Sequence, residues 1–218
     1  MDSLIPPTEE ESKELSDSPD MRVAIIGNVD SGKSTLLGVL TKCILDDGRG
    51  SARSLVFNFS HEQANGRTSS IAQEIIGFRG DGQQVQPERF NDTRNRAWGH
   101  IVENSDRILT FIDLCGHEKY LKTTIFGLVG LMPDYAMIVI GSNMGLGRMT
   151  KEHIGLALSL KVPMFFVMTK IDIAPEQIYD QNIEFLQKVL RSPAAGNRVP
   201  LMVKEDTDLE EILSLIHI

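Results

Sequence analysis

Two cysteines, Cys43 and Cys115, are all that 218 residues contain, too few for a disulfide framework. We read both as reduced thiols. No stretch approaches the roughly 18 uninterrupted apolar residues that a membrane span requires. The N-terminus, Met1-Asp-Ser-Leu-Ile-Pro-Pro, lacks a basic segment followed by a long apolar run, which argues against a signal peptide. There is no basic excess either. Formal net charge is −8, and residues 1–20 hold seven acidic residues against Lys13 alone, a net of −6. The remainder carries −2, so composition makes no case for nucleic-acid binding. His61, His100, His153 and His217 have no ligand spacing with cysteines or carboxylates, so they are not expected to form a metal site. No internal repeat is visible.

What is present is an ordinary globular composition, 41% hydrophobic and 24% charged. Residues 1–20, rich in Glu, Asp, Ser and Pro, read as a disordered acidic leader. From Met21 strand and helix patterns alternate. Short apolar runs at 23–26, 71–78, 107–113, 135–140 and 162–168 read as strands. Leu36, Leu37, Leu40 and Ile44 share a helix face, and residues 117–130 read as a second helix. Thr150 is expected to cap a helix running to about Leu160, and Pro175 to open another ending near Arg191. Residues 46–70 read mainly as loop, and 79–100 as polar, with an Asp81-Gly82 turn and a short helix anchored by Trp98 and Ile101. This order predicts an α/β fold with a mostly parallel, doubly wound sheet and helices on both faces, which becomes that of a P-loop NTPase if one strand end carries a phosphate loop.

Gly27-Asn28-Val29-Asp30-Ser31-Gly32-Lys33-Ser34 fits G-x-x-x-x-G-K-[ST], after a strand and before a helix. The glycines bring backbone amides close to phosphates at a helix N-terminus. Lys33 can reach the β- and γ-phosphates, and Ser34 can bind Mg²⁺; Thr35 follows in the first helical turn. This loop alone does not separate ATP from GTP. Asp113-Leu114-Cys115-Gly116 fits D-x-x-G, in which the Asp holds Mg²⁺ and the Gly amide senses the γ-phosphate. Thr169-Lys170-Ile171-Asp172 fits [NT]-K-x-D. The Asp172 carboxylate can accept from the ring N–H and exocyclic amine of guanine, a donor pair that adenine lacks. Each of the last two is weak alone. Three in the right order, each at a predicted strand end, point to a guanine nucleotide site.

Asp113-Leu114-Cys115-Gly116-His117-Glu118-Lys119-Tyr120 resembles the D-x-x-G-H-x-x-Y signature of translational GTPases such as elongation factors Tu and 1-alpha. Leu45-Asp46-Asp47-Gly48-Arg49-Gly50, Gly66-Arg67-Thr68-Ser69-Ser70 and Gly141-Ser142-Asn143 resemble the pattern of the eukaryotic GTP-binding proteins 1 and 2 subgroup. The likeness spans about residues 21–203. It implies a GTP-binding domain that hydrolyses GTP to GDP and phosphate as a switch, with ribosomal or RNA-associated partners and a role in elongation or ribosome-associated quality control. It implies Thr68 as the switch I ligand of Mg²⁺, His117 as the residue that positions the attacking water, and Asp30 as holder of a monovalent cation near the phosphates. Plainer readings stand beside these: a loop Thr, a helix-capping His and a turn Asp. The family also suggests a cytoplasmic, monomeric protein with no membrane partner.

The chain departs from the family in three places. Arg67 stands where elongation factor Tu has an apolar gate residue, while Val29 keeps the other gate position. Arg67 reads as a solvated loop residue or as an arginine finger supplied in cis. Residues 79–105 read as an insertion; Arg89, Arg94 and Arg96 within it, and Arg107 just after it, alternate with acids as a solvated face. Past Pro200 the family continues to another strand, the loop at the guanine carbonyl, and two β-barrels. Residues 204–218 look unlike this, so a truncated domain lacking its last strand is expected, with weakened nucleotide affinity and poor solubility. The alternatives are a fragment that binds nucleotide without turnover and a P-loop ATPase or kinase of another class.

Overall fold

A computed structural model of the chain describes residues 20–86, 94–203 and 208. The acidic leader and most of the C-terminal tail lie outside them, as do Glu88, Arg89 and Asp92. Six strands form one sheet: β1 (Asp20–Gly27), β2 (Ala72–Phe78), β3 (Gln84–Val85), β4 (Arg107–Asp113), β5 (Tyr135–Gly141) and β6 (Met164–Thr169). Their spatial order is β3-β2-β4-β1-β5-β6. β4, β1, β5 and β6 run parallel; β2 is antiparallel to β4 and to β3. Among the described residues β6 is the outer strand on its side.

The helices are α1 (Lys33–Lys42), the short α2 (Ser51–Ser54) and α3 (Ser60–Asn65), α4 (Arg94–Glu103), α5 (Leu121–Gly130), α6 (Arg148–Ser159) and α7 (Glu176–Leu190). Strand side chains alternate between faces, and the core divides accordingly. Ala24, Ile26, Ile112, Ile138 and Ile140 meet Leu128, Ile154, Ala157, Leu186 and Leu190, which come from α5, α6 and α7. Val23, Ile25, Phe111, Met137 and Val139 meet Leu37 and Val56 on the other face. Burial of both faces explains why β1 and β5 read as unbroken apolar runs. No helix among the described residues is long and apolar enough to cross a membrane.

Several local expectations change. Thr150 does not cap α6. Gly147 holds that position, the Lys151 N–H reaches the Gly147 carbonyl at 3.2 Å, and Thr150 lies buried inside the first turn. A Thr caps only where its hydroxyl meets free amides, and here the hydroxyl is buried without a hydrogen-bond partner. The 46–70 segment is not plain loop. Asp46 Oδ1 accepts the Ala52 N–H at 2.9 Å, and Asp47 Oδ1 accepts that of Ser51 at 3.2 Å, which fixes the start of α2. The second helix begins at Leu121, after a 3₁₀ turn over Glu118–Tyr120. The polar 79–100 stretch supplies the edge strand β3 as well as α4, whose Ile101 is buried.

Arg94 is not part of a solvated face. Its guanidinium stands 2.9 Å from the Glu74 carboxylate and donates to Asn58 Oδ1 at 2.7 Å. Glu74 is 1% exposed and also accepts from Lys42 at 2.9 Å, so a buried acid ties α1 and α4 to β2.

Candidate functional site

The parallel strands end together. Register pairs Ile25 with Asp113, Gly27 with Val139, and Gly141 with Thr169. Those ends carry all three sequence motifs, because parallel neighbours direct their carboxyl ends to one edge of the sheet. The loop 27–32 leaves β1 and opens α1 with Gly32 at φ 93°. Gly27 has φ 149°, and a Cβ on it would run into the Val139 carbonyl, so this exit from β1 admits only glycine.

Lys33 is buried. Its ammonium donates to the Asn28 carbonyl at 2.7 Å and to the Gly27 carbonyl at 3.3 Å. Burial lowers its pKa, while the nearby Asp113, Cys115 and Asp30 charges pull the other way. Asp113 shows the mirror effect. Burial raises its pKa, and the Lys33 charge and the hydroxyls of Ser34 and Thr68 oppose that rise.

Ser34 Oγ donates to Asp113 Oδ2 at 2.6 Å and lies 2.7 Å from Thr68 Oγ1. Thr68 also donates to the same carboxylate oxygen at 3.2 Å. Three residues from the P-loop, the 60s loop and the end of β4 thus meet at one point. The other carboxylate oxygen, Asp113 Oδ1, is buried with no hydrogen-bond partner. An all-oxygen set with one buried, uncommitted carboxylate oxygen fits a hard divalent cation such as Mg²⁺.

A cleft of about 340 Å³ opens beside this point. Val29, Asp30, Gly32, Lys33, Ser34, Thr35, Thr68, Gly116 and His117 line it. Tyr120, the last residue of the D-x-x-G-H-x-x-Y signature, lines it too, as do Arg53, His61 and Lys119, which no motif marked. A Cβ on Gly116 would stand 2.5 Å from Lys33 Nζ and 2.6 Å from the Gly27 carbonyl, so the D-x-x-G glycine allows its backbone to close on the P-loop. His117 is exposed. Its Nδ1 accepts the Lys119 N–H at 3.1 Å and so caps the 3₁₀ turn. In the neutral ring that bond places the proton on Nε2. Arg67 is 57% exposed and lies 3.7 Å from the half-exposed Asp30 carboxylate.

Asn28 and Ser31 belong to the loop rather than the cleft wall. Asn28 Oδ1 accepts the Val29 N–H at 2.8 Å. The Thr169 hydroxyl donates to the Ser31 carbonyl at 2.7 Å, joining the T-K-x-D segment to the P-loop. Lys170 follows with φ 57°, and Asp172 is exposed beyond it, outside the cleft. Burial and the neighbouring Asp113 and Glu62 charges push the Cys115 thiol up to about 12, which leaves it little thiolate at neutral pH while the fold holds it.

A model of the elongation factor Tu GTP-binding domain matches residues 18–216. The chain belongs to that family. This elongation-factor-type domain is 51% identical over 191 residues to GTP-binding protein 1 of Xenopus laevis, covering 87% of the chain and 29% of that protein. It is 48% identical over 189 residues to human GTP-binding protein 2, covering 87% and 30%. The domain thus spans under a third of the length of these relatives. A crystal structure of the bacterial selenocysteine-specific elongation factor EF-Sec superposes on it with TM-score 0.58 at 22% identity, covering 90% of this chain and 28% of that one. That likeness concerns the fold.

Proposed function

We propose that this domain binds GTP with Mg²⁺ and hydrolyses it to GDP and phosphate as a molecular switch. The observation that carries the proposal is the meeting of Ser34, Thr68 and Asp113 beside the buried Lys33. Mg²⁺ bound there would supply charge neutralisation at the phosphates. Ser34 and Thr68 would hold it directly and Asp113 through its free oxygen or a water. Lys33 turns its donors from the P-loop carbonyls to the β- and γ-phosphate oxygens. The amide of Gly116, packed on Lys33, senses the γ-phosphate. His117, with its proton on Nε2, orients a water in line. Asp172 accepts from the guanine edge, with the Lys170 stem along the base. Loss of the γ-phosphate frees the segments around Thr68 and Gly116.

Asp30 faces Arg67 at 3.7 Å, so we assign its counter-charge to that guanidinium rather than to a monovalent cation. The same contact supports Arg67 as a side chain of the cleft rim. Unchanged turnover in Arg67→Ala would remove the arginine-finger reading.

The match to the elongation factor Tu GTP-binding domain supports a role in translation elongation or ribosome-associated quality control, which we place in the cytoplasm. Within that role the partner is a ribosomal or RNA-associated complex, the domain acts as a monomer, and intrinsic turnover is slow. The test is titration with a fluorescent guanine nucleotide in Mg²⁺ buffer, with an adenine analogue and Asp172→Asn as controls. Guanine-selective binding is expected, weakened roughly a hundredfold in Asp172→Asn by the loss of a charged acceptor. Equal binding of adenine and guanine nucleotides would refute the proposal.

A further inference from the structure

The segment that presents Thr68 has no regular structure: residues 67–71 form neither helix nor strand. Something else must hold the Thr68 hydroxyl at Ser34 and Asp113. The answer lies six residues upstream. Glu62, on α3, is 0% exposed. Its Oε1 accepts the backbone N–H groups of Ser69 at 2.7 Å and Ser70 at 2.9 Å. The same oxygen accepts the hydroxyls of Ser69 and Ser70, each at 2.9 Å. Its Oε2 accepts the N–H of Asn58 at 3.1 Å and of Phe59 at 3.3 Å.

We propose that Glu62 is a positioning residue for Thr68: its carboxylate clamps residues 58–59 to residues 69–70 and so delivers the Thr68 hydroxyl to the metal point. This rests on Thr68 acting as a ligand in the triphosphate state, as proposed above.

A simpler role, capping α3, accounts for only half of the carboxylate. Glu62 occupies the third position of that helix and reaches back to the N-cap amide of Phe59, as capping glutamates do. That uses Oε2. Oε1 is committed to a different stretch of chain, immediately after Thr68. The Ser69 hydroxyl is shared with His61 Nε2 at 2.8 Å. The carboxylate also stays charged. Burial pushes its pKa up, yet the Ser69 and Ser70 donors outweigh that and hold it below the ordinary value. An ionised acceptor makes stronger bonds than a neutral one, which suits a clamp on two loop amides.

The clamp is tied to the body of the domain on both sides. Asn58 donates to the Ile71 carbonyl at 3.3 Å and accepts from Arg94, which pairs with Glu74 of β2. The Cys115 thiol donates to the Ser70 carbonyl at 3.5 Å, linking the clamp to the D-x-x-G loop. Thr68 is thus the unclamped residue beside a clamped pair. A small shift of Ser69 carries its hydroxyl away from the metal point, and misplacement of about 1 Å suffices to cost roughly a hundredfold at such a point.

A glutamine at position 62 offers one acceptor oxygen and one amine. Either the amine faces the 58–59 amides or it faces the 69–70 donors, so one side of the clamp opens. The test compares wild type with Glu62→Gln for a non-hydrolysable GTP analogue and for GDP, both with Mg²⁺. Expected is a roughly tenfold loss of analogue affinity, the scale of one charged hydrogen bond, with GDP affinity unchanged. In a Thr68→Ala background, Glu62→Gln should cost nothing more, because the clamp acts through that hydroxyl. Ser69→Ala with Ser70→Ala keeps the carboxylate and both amides, and should give a smaller loss in the same direction. That pair carries the test if Glu62→Gln fails to fold.

Equal losses for the analogue and GDP, or losses that add to those of Thr68→Ala, overturn the proposal. Thiol labelling of Cys115 in a Cys43→Ser background supplies a readout free of nucleotide. The Ser69→Ala, Ser70→Ala pair, which keeps the Glu62 charge that acts on the thiol, should label faster as Ser70 is loosened over Cys115, and an unchanged rate overturns the clamp. Failure of wild type to bind any guanine nucleotide would refute the GTP proposal, and the labelling result would still decide the clamp.

Discussion

The Ser34 hydroxyl and the Asp113 carboxylate meet at 2.6 Å although 79 positions separate them. Ser34 stands in the first turn of α1, which the P-loop joins to β1, and Asp113 ends β4, the parallel neighbour of β1, in register with Ile25. Asp113→Ala removes the buried carboxylate from this point. We expect nucleotide affinity in wild type to fall when EDTA strips Mg²⁺, and the variant to bind weakly with little response to EDTA. Fluorescent-nucleotide titrations with and without chelator check this. A variant as sensitive to EDTA as wild type would remove Asp113 from the metal point.

Thr169 holds the base-recognition segment to the P-loop through the Ser31 carbonyl. Thr169→Val keeps the shape and deletes the donor. The expected cost is about 1 kcal/mol of folding stability, the net worth of one hydrogen bond. Urea unfolding of both proteins measures it, and guanine affinity should fall in parallel because the two segments lose their fixed spacing.

Glu74 is nearly inaccessible and has two cationic partners, Lys42 and Arg94, of which only Lys42 meets it with hydrogen-bond geometry. Arg94→Ala leaves the acid paired with Lys42 and should destabilise modestly. Removing Lys42 and Arg94 together leaves a buried carboxylate alone, at a cost of about 3 kcal/mol or more. The double variant should therefore lose more stability than the two single variants combined, as denaturant midpoints will show.

His153 is fully buried on α6, and neither ring nitrogen has a hydrogen-bond partner. Burial, with a smaller push from the Lys33 charge, lowers its pKa from 6.5 to about 4. The unfolded chain therefore binds a proton between those values that the folded chain refuses. Stability from this group is complete above pH 6.5 and declines as pH falls towards 4, by about 3 kcal/mol in all. Thermal melts from pH 7 to pH 4 should flatten in His153→Leu. An unchanged acid slope would place the sensitivity elsewhere.

Much of this was legible in the sequence because its signals are local. Gly27 to Ser34 is one unbroken motif whose chemistry needs contiguous amides. The 23–26 run, too short and too β-branched for a helix, placed it at a strand end. D-x-x-G and T-K-x-D are likewise four-residue patterns at strand ends, and parallel strands oblige such ends to gather. Fold class and the placing of Ser34 and Asp113 at neighbouring strand ends therefore followed from residue order, whereas Thr68 entered only through the family resemblance.

What only the tertiary structure decided are contacts whose partners share no spacing rule. Glu62 reads as an ordinary polar residue of a loop until Ser69 and Ser70 fold back on it. Arg94 reads as one arginine among several until Glu74 is seen buried beneath it. Thr150 carries the chemistry of a cap, but Gly147 takes the place because the turn before α6 sets where free amides begin. His117 lies in the cleft and caps its own turn at once, which residue order left as alternatives. Motifs record which groups a site needs. Burial and the path of the chain decide which remaining side chains hold those groups in place.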